Sequence, residues 1–150
     1  MAVVSPSTTS EVFDIRTPYL EQGLTSDLRA KTDMLSVLIK VYADGGENRM
    51  HAHPYEDHAF VVLEGEATFH LEADDNVKVV KPYEGVMLPK GSNYWFQSSG
   101  QGNLVMLRVG AQPAGVKKAA FYPDGKGKSR AVEPTAKLER IERSGKGFGE

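Results

Sequence analysis

The chain has 150 residues, enough for one domain with a substantial core and too few for two ordinary domains. Hydrophobic residues make up 40% and charged residues 25%, which excludes wholesale disorder. The absence of cysteine excludes disulfides, zinc–thiolate sites and a cysteine nucleophile. A formal net charge of −2, without interleaved basic and aromatic residues, excludes the usual nucleic-acid binder, so we expect no nucleic-acid partner.

The net charge hides an asymmetry along the chain. Residues 1–111 carry nine Lys and Arg against fifteen Asp and Glu, whereas residues 112–150 carry nine against five. The basic tail can dock on the acidic body or on a partner subunit, or it can remain solvated. No apolar run reaches the roughly 20 residues of a membrane span, and the N-terminus lacks the pattern of a secretory signal. We therefore expect a cytoplasmic protein with no membrane partner.

The N-terminal part of the chain, residues 1–33, is predicted to be an arm. Its first ten residues have the composition of a flexible segment, residues 12–16 can form a short edge strand, and residues 21–33 are polar without clear periodicity. The ordered body begins with the apolar, β-branched segment 34–42, which ends at the turn signal Asp44-Gly45-Gly46.

Short apolar segments and turn signals then alternate regularly. Predicted strands cover residues 58–63, 67–72, 77–80, 86–88, 93–97 and 104–109. Seven or eight strands at this spacing predict an all-β antiparallel sandwich or barrel over residues 34–111. Residues 112–150 are interpreted as a basic C-terminal extension, packed on the barrel or trailing from it and frayed at its end.

Three of the four histidines lie within eight residues. His51 and His53 share one face of a strand because side chains alternate with period 2, and His58 can return to that face after a turn. Three neutral imidazoles that converge on one point can hold a divalent transition metal. We therefore predict one such ion per chain, bound by His51, His53 and His58, whereas His70, in the next hairpin, is expected to be structural.

The segment from Gly45 to Gly65 resembles the first signature motif of the cupin superfamily. It reads G-x5-H-x-H-x4-H-x6-G, against the family pattern G-x5-H-x-H-x3–4-E-x6-G. Pro89-x-Gly91-x2-Tyr94-x3-Ser98 echoes the second motif, G-x5-P-x-G-x2-H-x3-N. The resemblance implies the double-stranded β-helix, a jelly-roll-like barrel, and also a homodimer, since cupins of this size commonly pair.

The sequence departs from the cupin pattern at two ligand positions. His58 stands where the family has glutamate, although Glu56 and Asp57 are close, and Tyr94 stands where the second motif has histidine. Tyr94 can be a fourth metal ligand, a hydrogen-bond donor or a packing residue. Three neutral ligands leave the full charge on the ion, so we expect a small anionic substrate.

Strand alternation outlines the pocket around this site. Arg49 shares the face of His51 and His53 and can pair with a substrate carboxylate, or merely with Glu47 or another acid. Phe60, Val62 and Phe96 are expected to form the walls, and Arg108 to point outward. Catalytic roles are expected for Tyr94 and Arg49.

The ligand set resembles the three-histidine sites of thiol and diketone-cleaving dioxygenases, which implies a non-haem iron oxygenase. Manganese, nickel or zinc can instead serve an isomerase, lyase or cyclase acting on a sugar acid or a polyketide-like carbonyl compound. A non-catalytic cupin that binds a metal or a small ligand is the third alternative.

Overall fold

The computed structural model describes residues 8–123 and 139–150. Within these residues every regular element is a β-strand, and no helix occurs that could cross a membrane. The strands, in chain order, are β1 (Leu20–Gln22), β2 (Leu24–Lys31), β3 (Leu35–Tyr42), β4 (Gly46–His51), β5 (Asp57–Glu64), β6 (Ala67–Leu71), β7 (Val77–Val80), β8 (Gly85–Leu88), β9 (Tyr94–Ser98), β10 (Leu104–Ala111) and β11 (Ile141–Glu142).

Two antiparallel sheets build the body of the molecule. The larger has the strand order β2-β3-β10-β5-β8, and the smaller has the order β4-β9-β6-β7. Because consecutive strands such as β4 and β5 lie in different sheets, the chain crosses repeatedly between them, as in a double-stranded β-helix. The all-β prediction is confirmed, and so is this fold.

The core lies between the two sheets and is rich in aromatic rings. Tyr42, Phe60, Phe69, Tyr94 and Phe96 are each at most 1% exposed, and neighbouring ring centroids lie 5–6 Å apart. Such ring pairs contribute about 0.5–1.5 kcal/mol each beyond the area that they bury. This apolar layer is rigid, and its packing does not depend on polar groups.

The turn between β5 and β6 requires Gly65. Its φ is +83°, and a Cβ atom there would lie 2.5 Å from the Asn103 carbonyl oxygen. Only glycine combines this backbone conformation with so close an approach. The second glycine of the first motif therefore serves a tight turn against the start of β10.

The N-terminal arm contributes regular structure that the sequence analysis missed. The polar stretch 21–33 contains the whole of β2, which pairs with β3 and forms one edge of the larger sheet. The short strand predicted at residues 12–16 is absent there, and the arm makes an isolated bridge at Thr17 instead. The prediction failed because only three of the eight residues of β2, Leu24, Leu28 and Ala30, are apolar, so the strand carries little apolar signal.

The C-terminal extension returns to the arm. Strand β11 pairs with β1, and Phe148 bridges Thr17. The end of the chain is therefore ordered against the body, and the fraying predicted there is wrong. Residues 124–138 of the extension lie outside the described residues.

Candidate metal centre

Strand β4 aligns three charged or titratable side chains on one side. Glu47, Arg49 and His51 are spaced by two residues in a strand whose register shifts between Glu47 and His51. They lie on one side because His51 contacts Glu47, and the Tyr122 ring lies against both His51 and Arg49. Arg49 and His51 are 8% and 6% exposed, so this polar face is buried. The prediction that Arg49 and His51 share a face agrees with this arrangement.

Both ring nitrogens of His51 have partners within β4. Nδ1 lies 2.9 Å from the Arg49 carbonyl oxygen, and Nε2 lies 3.1 Å from Oε2 of Glu47. The other carboxylate oxygen of Glu47 lies 3.5 Å from Nζ of the buried Lys40. His51 is thus linked to a carboxylate that the sequence analysis named only as a partner for Arg49.

The structure brings His53 and His58 together with Glu56. Potential ligand atoms of these three residues all lie within 4.8 Å of one another. The imidazole centroids of His53 and His58 are 4.4 Å apart, whereas those of His51 and His53 are 5.2 Å apart. Two of the three predicted ligands are therefore in one group, and in this geometry Glu56 rather than His51 accompanies them.

Arg108 reaches into this group from β10. Its Nη2 lies 3.2 Å from Oε1 of Glu56 and 3.0 Å from Nε2 of His58, and these last two atoms are themselves 2.6 Å apart, at hydrogen-bond distance. The prediction that Arg108 points outward is wrong. Strand β10 is covered on both faces. The apolar residues that alternate with Arg108 face one buried side, and Arg108 faces the other.

Glu56 sits in a cradle that a glycine leaves open. A Cβ atom on Gly110 would lie 2.6 Å from Oε2 of Glu56, so only glycine leaves room for the carboxylate there. The same oxygen lies 4.0 Å from Nζ of Lys118, whose side chain is 62% exposed. Glu56 is therefore held from three sides, by His58, Arg108 and the β10 backbone.

Burial and neighbouring charges set the protonation of the group. Burial first, and the nearby His51 second, lower the pKa of His53 to about 4. The pKa of His58 is also lowered, by burial first and by the Arg108 charge second. Burial alone raises the pKa of Glu56, but the His58 hydrogen bond and the positive charges around it outweigh that effect and lower it. At neutral pH the group therefore offers two neutral imidazoles and one carboxylate.

These residues fit a divalent transition metal. Nδ1 of His53 lies 3.1 Å from the Ala119 carbonyl oxygen, which leaves Nε2 as the unprotonated nitrogen. Nδ1 of His58 is buried and makes no hydrogen bond to any described residue. Imidazole nitrogen and carboxylate oxygen are donors that iron, manganese, nickel and zinc all accept. The His-Glu-His group could thus bind a metal.

Tyr94 lies beside this group and has the properties of a hydrogen-bonding residue. It is 1% exposed, and its ring centroid lies 4.4 Å from that of His51 and 6.2 Å from that of His53. Burial, followed by the Glu47 carboxylate, raises the pKa of the Tyr94 phenol well above its ordinary value. A phenol that keeps its proton is a donor rather than a metal ligand.

The other predicted site residues lie below the group or at its side. Phe60, Val62 and Phe96 belong to the buried core, and the Phe60 ring centroid is 6.3 Å from that of His58. The Arg49 guanidinium lies 4.1 Å from the centre of the Tyr122 ring. Trp95 and His70, both outside the site, stack at 3.7 Å.

Sequence reasoning missed the roles of Lys40, Arg108 and the segment after β10. A cation on an otherwise apolar strand, as at Lys40 in β3, was a usable signal because an unpaired charge is rarely buried. For the segment that carries Ala119 and Tyr122 there was no signal, because it has no regular periodicity.

Comparison with solved structures agrees with the fold. A conserved protein with a double-stranded β-helix domain from Klebsiella pneumoniae is similar over 75% of this chain and 98% of its own, at 21% identity and a TM-score of 0.60. A cupin superfamily protein from Desulfitobacterium hafniense is similar over 60% of this chain and 78% of its own, at 22% identity and a TM-score of 0.51.

A third similar structure is a candidate sugar phosphate isomerase from Acidithiobacillus ferrooxidans. It has 26% identity and a TM-score of 0.51, and the similarity covers 61% of this chain but 57% of that one. No curated protein matches the sequence significantly. The sequence profile of the cupin domain family matches residues 38–110, from β3 to the end of β10. Residues 38–110 of the chain are therefore a cupin domain.

Proposed function

We propose that the protein is a metal-dependent enzyme that acts on a small anionic organic substrate. The observation that carries the proposal is the group of His53, Glu56 and His58, whose ligand atoms lie within 4.8 Å of one another in a buried site. His53 and His58 would hold the ion, with Glu56 as the third ligand in this geometry. His51, predicted from the sequence, is the competing third ligand.

An excess of positive charge around the group supports an anionic substrate. Lys40, Arg49 and Arg108 contribute three cations, and Glu47 and Glu56 contribute two carboxylates. With His53 and His58 neutral, these five side chains and the two imidazoles have a net charge of +1, which a divalent ion raises to +3. The acidic surface of the body repels anions at a distance, but salt screens that repulsion over roughly 8 Å. Inside the pocket the local cations dominate.

For the reaction we propose a non-haem iron oxygenase. Two histidines and one carboxylate with open positions are the donor set typical of iron(II) oxygenases, and bound iron would supply activation of dioxygen. In this account Arg49 and Arg108 orient the substrate carboxylate, and Tyr94 donates a hydrogen bond from its protonated phenol. The aromatic floor around Phe60 keeps water from one side of the site.

One observation favours an isomerase or lyase as a second candidate. Glu47 is a largely buried carboxylate beside His51 and Lys40; burial raises its pKa, but Lys40 and His51 outweigh that effect and hold it well below the ordinary value, so Glu47 is ionised. Such a group can take a proton from a carbon next to a carbonyl that a bound metal polarises. The similarity to a candidate sugar phosphate isomerase is compatible with this chemistry.

Oxygen consumption separates the two reactions. Untagged protein is loaded with Fe(II) and given a panel of small carboxylic acids, thiols and β-diketones in an oxygen electrode. In parallel, the Mn(II), Ni(II) and Zn(II) forms are incubated without oxygen in D2O, and NMR follows deuterium uptake and isomerised products. Substrate-dependent oxygen uptake supports the oxygenase. Deuterium uptake that is abolished in Glu47→Gln supports the isomerase or lyase. If neither oxygen uptake nor deuterium uptake is observed, the protein is a non-catalytic metal-binding cupin.

Binding of matched ligands tests the preference for anions. Carboxylic acids and their amides are titrated into the metal-loaded protein and into Arg49→Gln, whose fold is checked by thermal unfolding. We expect wild type to bind the acids more tightly and the variant to lose most of that difference. If amides bind wild type as well as the acids do, the substrate is neutral.

A further inference from the structure

The segment that follows β10 is attached to the metal centre by backbone hydrogen bonds. We call residues 113–123 the strap. The Ala52 N–H donates to the Phe121 carbonyl at 2.8 Å, and the Phe121 N–H donates to the Ala52 carbonyl at 2.7 Å. Ala52 stands between His51 and His53, so this pair of bonds fixes the strap directly beside two histidines of the site.

Three strap residues contact three residues of the site. The Ala119 carbonyl oxygen lies 3.1 Å from Nδ1 of His53, and Nζ of Lys118 lies 4.0 Å from Oε2 of Glu56. The Tyr122 ring lies under the Arg49 guanidinium at 4.1 Å. An ion pair with an exposed partner such as Lys118 contributes little free energy by itself. The backbone contacts of Ala119 and Phe121 therefore contribute most to the docking of the strap.

The Ala119 carbonyl determines which nitrogen of His53 can bind a metal. A carbonyl oxygen only accepts, so the His53 Nδ1 must carry the proton that it donates to Ala119. In a neutral imidazole the other nitrogen then has the free lone pair. Outer hydrogen bonds of this kind orient metal-ligating histidines, and their loss typically weakens metal binding 10- to 100-fold. The strap therefore contributes to the metal centre without offering a ligand.

We propose that docking of the strap and binding of a divalent metal at His53, Glu56 and His58 are coupled. The ion binds more tightly when the strap is docked, and the strap opens less often when the ion is bound. The two effects must be equal because binding free energies are reciprocal. This inference rests on the proposed metal centre and adds Ala119 to it as a positioning residue.

Two substitutions at one position separate the backbone contact from the side chain. Phe121→Pro removes the N–H that donates to Ala52, whereas Phe121→Ala retains it and deletes a ring that is 57% exposed. Ni(II) binding is measured by calorimetry on the full chain. We expect Phe121→Pro to bind Ni(II) at least about tenfold more weakly than wild type and Phe121→Ala to bind within about twofold of wild type.

Hydrogen exchange of the wild-type protein tests the reciprocal effect without a mutation. Ni(II) is expected to slow exchange of the Phe121 amide by about the same factor by which Phe121→Pro weakens Ni(II) binding. If wild type binds Ni(II) but exchange at Phe121 is unchanged, or if Phe121→Pro binds as tightly as wild type, the coupling is wrong and the metal centre stands. If wild type binds no Ni(II), both the coupling and the proposed function fail.

Discussion

The Arg108 guanidinium lies 3.0 Å from Nε2 of His58, so a permanent cation borders the imidazole of a candidate metal ligand. The same guanidinium also contacts Glu56 at 3.2 Å. Arg108 therefore stabilises the buried carboxylate when no ion is present and competes with an ion for its ligands.

Removal of the Arg108 charge is expected to have opposite effects on cation and anion binding. In Arg108→Met the Ni(II) affinity should rise by more than about 1 kcal/mol, because a charge repulsion at short range is lost. Binding of carboxylic acids to the loaded protein should weaken. Calorimetry measures both, and Arg108→Lys, which retains the charge, serves as the control. Weaker Ni(II) binding in Arg108→Met would show that Arg108 organises the ligands rather than competes for them.

Tyr94→Phe is expected to retain the metal and to lose part of the activity. The raised pKa of the phenol keeps its proton in place, so the variant removes one hydrogen bond, which is worth about 0.5–1.5 kcal/mol. Metal content and turnover are compared with those of wild type on the substrate found in the screen. Loss of the metal in Tyr94→Phe would make Tyr94 a fourth ligand.

The lowered pKa values of the two histidines predict acid destabilisation of the metal-free protein. Between pH 6.5 and about 4 the unfolded chain protonates His53 while the folded chain does not, so unfolding takes up a proton. The free energy of unfolding should therefore fall as the pH drops from 7 to 5. Urea denaturation at both values checks this, and His53→Gln should show a smaller fall. An identical pH dependence in the variant would contradict the lowered pKa of His53.

A polar side chain distant from the metal centre holds the arm to the body. The Asn103 side chain, 6% exposed, accepts a hydrogen bond from the Leu20 N–H at 2.7 Å and donates one to the Leu20 carbonyl at 3.0 Å. Asn103→Ala leaves the buried N–H and carbonyl of Leu20 without their hydrogen-bond partner and should lower the free energy of unfolding by about 2–4 kcal/mol. Urea denaturation measures the loss, with the exposed Gln101→Ala as the control. Ni(II) affinity should not change, and a loss of affinity would show that the arm and the site are coupled.

The strand pattern of the body was predictable because apolar alternation and turn residues are local signals. The spacing of His51, His53 and His58 likewise indicated a metal site, although β4 ends at His51 and His53 follows the strand instead of sharing it. Contacts between distant segments left no such trace. Arg108 meets Glu56 across a separation of 52 residues, and the Ala119 carbonyl meets His53 across 66. The strap and β2 were not predicted because neither carries a periodic apolar pattern.

Metal content tests directly whether His53, Glu56 and His58 hold an ion. Untagged wild type, His58→Ala and His70→Ala are reconstituted with Fe(II) under nitrogen, desalted and analysed for metal per chain. His70 stacks on Trp95 outside the site and gives a matched control for the loss of an imidazole. We expect one ion per chain in wild type and in His70→Ala, and none in His58→Ala. Full occupancy in His58→Ala, or no metal in wild type, would contradict this expectation.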